Sequence, residues 1–318
     1  MTSDPATARL AAVATVDEQH FRVMGSDAHV IVVGGADGLA EMARARLEYL
    51  EGRWSRFRDD SELSLANAHP GRWTEVSPET VDLVERALVA HEHTDGLFDP
   101  TRLHDVVAAG YRVSFDELAA ADVVAVGTSA RTGPHGPVEI DRPGLRMRVP
   151  AGCGFDPGGI GKGVAADLVS AELMAEGADG VCVNVGGDLR VRGIGPDGGD
   201  WVVGIDDPRD PVAPPLARLH LSDGAVATSS RLRRRWTRAD GTEAHHLIDP
   251  RTGEPARTDV LTATVVAAEG WQAEALAKTA FLSSLDAFLA RLADAGATGL
   301  VVTASGAVPA PGFDAFTL

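Results

Sequence analysis

The sequence predicts an α+β fold built largely from antiparallel sheets with flanking helices. Strand-like and helix-like stretches are interspersed along the 318 residues without strict alternation. Hairpin signals are frequent, as in Val138–Asp141 and Leu145–Val149 on either side of Pro143-Gly144. No fixed-period repeat is visible.

Taken in order, Met1–Glu18 offers only a short Ala-rich apolar stretch and is expected to be a flexible terminus. Residues 19–318 are then one folded unit, undivided or made of two subdomains around one cleft. His20–Val33 alternates and ends in a β-branched run, which predicts a strand broken at Gly34-Gly35. Leu39, Met42, Ala43, Leu47, Leu50 and Trp54 recur at helical spacing. Ser77-Pro78 starts a second helix that runs to about Thr94, with Ser as N-cap and Pro in the first turn. Residues 127–137 are rich in Gly, Thr, Ser and Pro and read as an exposed loop. A helix over Val164–Ala178 and a buried strand over Gly180–Asn184 follow. Further strands are expected at Trp201–Ile205, Ala217–Leu221, Gly224–Ser230, Leu261–Ala267 and Val301–Thr303, with helices at Ala273–Leu282 and Leu285–Ala293.

Hydrophobic residues make up 44% and charged residues 24%, an ordinary globular balance. The net charge of -17 argues against nucleic acid as a partner, because phosphate-rich polymers are repelled at long range. A phosphorylated small molecule would need local cations or helix N-termini. Cys153 and Cys182 lack metal-ligand spacing and sit beside apolar runs, so buried reduced thiols are expected. The start of the chain has no basic n-region, and no run of about 18 apolar residues occurs. A cytoplasmic protein with no membrane span is the expectation.

Three blocks do not read as ordinary core or loop: Phe155–Gly163, Asn184–Asp188 and His245–Gly253. Each sets glycines or prolines against charged residues. Glycine lets backbone approach a ligand and presents amide donors unobstructed. Together the blocks suggest a pocket for a large polyanionic small molecule. The first is not a P-loop, since Asp156 stands where that motif needs Gly and Gly163 follows Lys162 instead of Ser or Thr. Lys162 at a helix start opposes the helix dipole, which a ligand anion would explain as well as a solvated turn would. His246 and Asp249 lie three residues apart in a turn. His is the usual base near neutral pH, whereas Asp-Pro often caps its own backbone. For Asp95–Thr101 and Ser55–Asn67, capped loops suffice. Glu274 and Lys278 are spaced as a helical ion pair. The run Arg231–Arg238 reads as a solvated edge.

In this order the pieces resemble the ApbE-type FAD:protein FMN transferases. The resemblance covers about Val23 to Leu282. It is carried by Met24-Gly25, Ser55-x-Phe57, Ser61–Ser64, Gly96–Thr101, Asp156–Gly163, Asn184–Gly187, Ala227–Ser229 and His246–Gly253. It implies an ApbE-like, T-fold-related catalytic domain. The implied reaction splits FAD at its pyrophosphate, moves FMN to a Thr or Ser hydroxyl of an acceptor flavoprotein, and releases AMP. The implied flavin-binding residues are Met24, Leu97, Phe98, Asp99, Asp156, Lys162, Ser229 and Ile248. His246 is the implied base, and Asp249 orients it or holds the turn.

The resemblance also implies a magnesium site made of the Gly159 carbonyl and two residues of the last helix. Here those two are Glu274 and Lys278, and Lys278 stands where the family has Thr. An ammonium there is expected to replace part of the metal's charge. A non-catalytic FAD-binding protein and an FAD pyrophosphatase giving FMN and AMP are the alternative readings.

Overall fold

A computed structural model of the chain describes residues 15–115, 117, 137–210, 212–238 and 241–317. Its first part contains the hairpin β1 (Val16–Val23) and β2 (Ser26–Val33), helices α1 (Leu39–Trp54) and α2 (Glu62–Ala68), β3 (Thr74–Glu75), α3 (Pro78–His93) and α4 (Leu103–Ala108). The middle holds β4 (Glu139–Asp141), β5 (Arg146–Arg148), α5 (Gly161–Ala175), β6 (Gly180–Val185), β7 (Asp188–Gly193), β8 (Trp201–Ile205) and β9 (Ala217–Leu221). There follow β10 (Asp223–Ser230), β11 (Arg235–Thr237), β12 (Glu243–His245), β13 (Ile248–Asp249), β14 (Glu254–Pro255) and β15 (Val260–Ala267). Helices α6 (Gly270–Thr279) and α7 (Leu285–Asp294), strands β16 (Thr298–Thr303) and β17 (Gly306–Pro309) and a short 3-10 helix at Phe313–Phe316 complete the set.

Eight strands form one sheet in the order β1-β2-β6-β7-β10-β15-β16-β17. Every neighbouring pair in it is antiparallel. The α+β class expected from the hairpin signals is therefore the class found, and no closed barrel occurs among the described residues. Both faces are covered, and alternation along each strand shows why. Val181, Val183 and Val185 of β6 join the cluster that includes Leu47, Leu50, Val84 and Val164 of the helices. Cys182, between them, joins Trp201, Leu219 and Leu221 of the β8–β9 hairpin instead. A strand buried on both sides reads as a continuous apolar run, as β6 does. Cys153 and Cys182 are both free and buried, and burial pushes the Cys182 thiol up to about 12.

Some expectations shift. His20–Val33 is two strands, because Met24 and Gly25 both take positive φ and close a tight turn between them. Gly25 suits such a turn, but Met24 replaces the Asn or Asp that usually precedes it, so the sequence reads through the break as one strand. Pairing of β1 begins at Val16, inside the stretch expected to be flexible. Helix α5 begins at Gly161 and α6 at Gly270, each about a turn earlier than apolar spacing suggested. The expected loop over 127–137 falls almost wholly outside the described residues.

Helices α5 and α6 meet through glycine. A Cβ on Gly163 would stand 2.4 Å from the Gly270 carbonyl. Asp167 of α5 accepts hydrogen bonds from Gly270 N at 2.7 Å and Trp271 N at 3.0 Å, which satisfies the start of α6. Gly163→Ala should destabilise the protein by about 1–3 kcal/mol, because backbone cannot yield as a side-chain end can. Urea unfolding of the variant checks this.

Candidate functional site

The three glycine-rich blocks meet at one side of α5. Phe155 is held by a reciprocal pair with Asn67, in which Asn67 Nδ2 donates to Phe155 O at 2.8 Å and Phe155 N donates to Asn67 Oδ1 at 2.7 Å. Asp156 N then donates to Pro100 O at 2.7 Å, tying the Gly96–Thr101 turn to the first block. Asp156 Oδ1 accepts from Gly158 N at 2.9 Å and shapes the turn into α5. Lys162 emerges in the first turn of that helix. Its ammonium pairs with Asp188, which closes the second block after the Gly186-Gly187 turn, and lies 3.3 Å from Glu274 of α6.

A cleft of about 380 Å³ opens at this point. Its wall includes Met24, Leu97, Phe98, Asp99, Asp156, Gly159, Lys162, His246, Ile248 and Lys278. Ten of the thirteen residues singled out from sequence are thus brought together. The other three stand elsewhere. Glu274 is 1% exposed and lies behind the wall, where its carboxylate faces Lys162 and Lys278. Ser229 is buried on β10, on the face shared with Ala225 and Ala227, because alternation directs it toward the helices. Asp249 accepts from Arg251 Nη2 at 2.7 Å and from Arg251 N at 2.9 Å. Of its two expected roles, holding the turn is the one its bonds serve.

The cleft is strongly cationic for a protein so acidic overall. Arg234 reaches it from a backbone with φ of 49° and donates to Gly25 O at 3.3 Å and Ser26 Oγ at 3.0 Å. Both acceptors are neutral, so these bonds leave its charge uncompensated. Burial, and then the charge of Lys278 and Arg234, lowers Lys162 to about 8 against the pull of Glu274. Burial also lowers Lys278, again against Glu274. His246 falls well below its ordinary value, first through burial, then through Arg234, Lys278, His245 and Lys162. Its imidazole is therefore neutral at pH 7. Nδ1 of that ring is buried with no hydrogen-bond partner among the described residues.

A second group of wall residues is aromatic; of these only Phe57 belonged to a motif noted in the sequence, and none was assigned a role there. Phe57, Tyr111 and Phe115 line the cleft, and the Arg56 guanidinium lies 4.2 Å from the Phe57 ring centre and 4.5 Å from that of Tyr111. Arg56, Arg102 and Arg234 carried no signal in the sequence beyond their charge. Arg102 is bound to Asp99 at 2.6 Å and Asp105 at 3.2 Å, so it buttresses the Asp99 turn. The Ser61–Ser64 motif is also scaffold. Ser61 caps α2, and Glu62 accepts from Ser77 N at 3.0 Å and from Thr80, joining α2 to the start of α3.

The ApbE family model matches residues 24–302. The chain belongs to the ApbE family. A Treponema pallidum relative in the family, an FAD:protein FMN transferase, is 33% identical over 245 residues, 71% of this chain and 66% of its own length. The FAD:protein FMN transferase of Klebsiella pneumoniae is 29% identical over 282 residues, 84% of this chain and 80% of its own. Among solved ApbE structures, that of the Thermotoga maritima protein has a TM-score of 0.81 at 27% identity, covering 96% of this chain and 100% of that one. The Pseudomonas stutzeri flavinyl transferase ApbE has a TM-score of 0.78 at 26% identity, with 96% and 97% covered.

The magnesium site that the resemblance implied does not fit the residues present. A hard divalent cation is held by oxygen ligands. Glu274 Oε2 accepts from Gly163 N at 2.8 Å, and Oε1 faces Lys162 at 3.3 Å and Lys278 at 3.4 Å. Lys278 itself offers donors only. Among the described residues, the one group of His, Cys, Asp and Glu placed to hold a metal is Glu18, His20 and His29 on the β1–β2 hairpin.

Proposed function

We propose that the protein transfers FMN from FAD to a Ser or Thr hydroxyl of an acceptor flavoprotein and releases AMP. The observation that carries this reading is one cleft that joins a neutral histidine, a group of cations and an aromatic wall. That combination suits a ligand with flat rings linked by a diphosphate. Membership of the family and the activity named for its relatives support it.

In the proposed step the acceptor oxygen attacks the phosphorus on the FMN side of the diphosphate. The bridging P–O bond breaks, and the bridging oxygen leaves with AMP. His246 takes the hydroxyl proton and returns it to solvent, so each turnover gives one flavinyl phosphoester, one AMP and one proton. Phosphoryl transfer asks of a protein chiefly positioning and charge neutralisation. Asp156 and Gly159 shape the turn, Lys162 and Arg234 face the diphosphate, and Met24, Leu97, Phe98 and Ile248 pack against the nucleotide. Asp99 fixes the turn that carries Phe98.

Incubation with FAD, with and without an acceptor protein, followed by chromatography, tests the reading. AMP formed only with acceptor, together with flavin-labelled acceptor, is the expected result. AMP with free FMN in the absence of acceptor favours the hydrolase, and intact FAD favours the binder. The rate should also follow pH in a stated way. His246 must be unprotonated, and its lowered value puts the acidic limb below the ordinary histidine value of 6.5. Lys162 must be charged, so affinity for FAD should fall as pH rises through about 8. Initial rates at limiting FAD across the range check both limbs.

A further inference from the structure

The departure at the last helix points to a different source of positive charge in this cleft. We propose that the buried Lys162–Glu274–Lys278 centre does the work of a bound divalent cation, so that the diphosphate is gripped without metal. The inference rests on the flavin dinucleotide reading above and deepens it.

Three observations carry it. Lys278 lies four residues after Glu274 on α6 and donates to Glu274 O at 3.1 Å and Oε1 at 3.4 Å. Those two contacts leave one of three ammonium donors for a ligand, among the described residues. The side chain reaches the wall because position 159 is glycine: a Cβ there would stand 3.0 Å from Lys278 Cε and 2.7 Å from Phe98 Cε2. Charge then favours a dianion. Lys162, Lys278, Arg234 and Arg56 bring four positive charges against Glu274, Asp188 and Asp156, so one excess positive charge remains.

The same arrangement repels a metal. A divalent ion would have to approach two ammonium groups that already hold the only carboxylate of α6. Its other candidate ligand on that helix is itself a cation. A covalently tethered ammonium supplies the charge at one point, as lysine does in other phosphate sites.

Equilibrium titration of FAD into the full chain, in EDTA and in excess magnesium, tests the proposal. The dissociation constant should be the same in both solutions, and mass spectrometry of the FAD complex should find no bound magnesium. Lys278→Thr removes the ammonium and restores an oxygen at that position. In EDTA that variant should bind FAD about tenfold more weakly or worse, the value of one charge-assisted hydrogen bond, and magnesium should recover the loss. Wild-type affinity that collapses in EDTA and returns with magnesium overturns the proposal and leaves the transferase reading standing. Lys278→Thr with unchanged affinity in EDTA overturns it too. Failure to bind FAD in either solution overturns the transferase reading itself, and this inference with it.

Discussion

His246→Ala should lower the rate of FMN transfer by about 10²–10⁴-fold while FAD affinity stays unchanged. A general base acts in the transition state, so its loss appears in the chemical step and not in ground-state binding. The ring lines the cleft and is kept neutral by burial and by four surrounding cationic or titratable groups. Removing it deletes no salt bridge among the described residues, so the fold should persist. Single-turnover labelling of an acceptor with saturating FAD reads the first quantity, and flavin fluorescence titration reads the second. A variant with full transfer rate would remove His246 from the mechanism. Equal losses in rate and affinity would make it a binding residue.

Glu274→Ala should cost the fold about 3–5 kcal/mol, the range for breaking a buried charge pair. Glu274 is 1% exposed, accepts from Gly163 N and faces both lysines. Burial acts to raise its pKa, but attraction to Lys162 and Lys278 outweighs this and holds it below the usual carboxylate value. Its removal leaves Lys278 without its only ionic partner among the described residues and deprives α5 of an acceptor for its first turn. Denaturant unfolding gives the measurement. FAD should restore part of the loss, because a bound diphosphate again opposes the stranded ammoniums. A variant as stable as the parent would show that Glu274 carries no net stabilisation.

Local signals made much of the architecture legible. Helical stripes such as Leu39 to Trp54, and the Ser77-Pro78 start, are set within a few residues, and the structure places α1 and α3 there. The hairpin around Pro143-Gly144 is local in the same way. The first and third glycine-rich blocks supply wall residues of the cleft, whereas the second meets it only through Asp188, which pairs with Lys162. What escaped notice depends on distant segments. Arg234 is 209 residues from Gly25, to which it bonds, and nothing near it in sequence marks it as part of a pocket. Of the aromatic wall, Phe57 stood in a motif without an assigned role, while Tyr111 and Phe115 have no periodic signature. Asn67 sits in a stretch that reads as a capped loop, yet it fixes a backbone 88 residues away. Ser229 is absent from the cleft wall because the alternation of β10 decides its face, which a motif alone does not give.

The wall of the cleft runs from Met24 to Leu282, and β2 pairs with β6 across some 150 residues. No short contiguous fragment of the chain therefore contains the whole wall. During synthesis, a ribosome-bound chain lacks α6, and with it Lys278, until some 280 residues have been made. Such long-range closure slows folding. It also means that a copy truncated before α6 lacks Lys278 and Leu282 and so leaves the wall of the cleft incomplete.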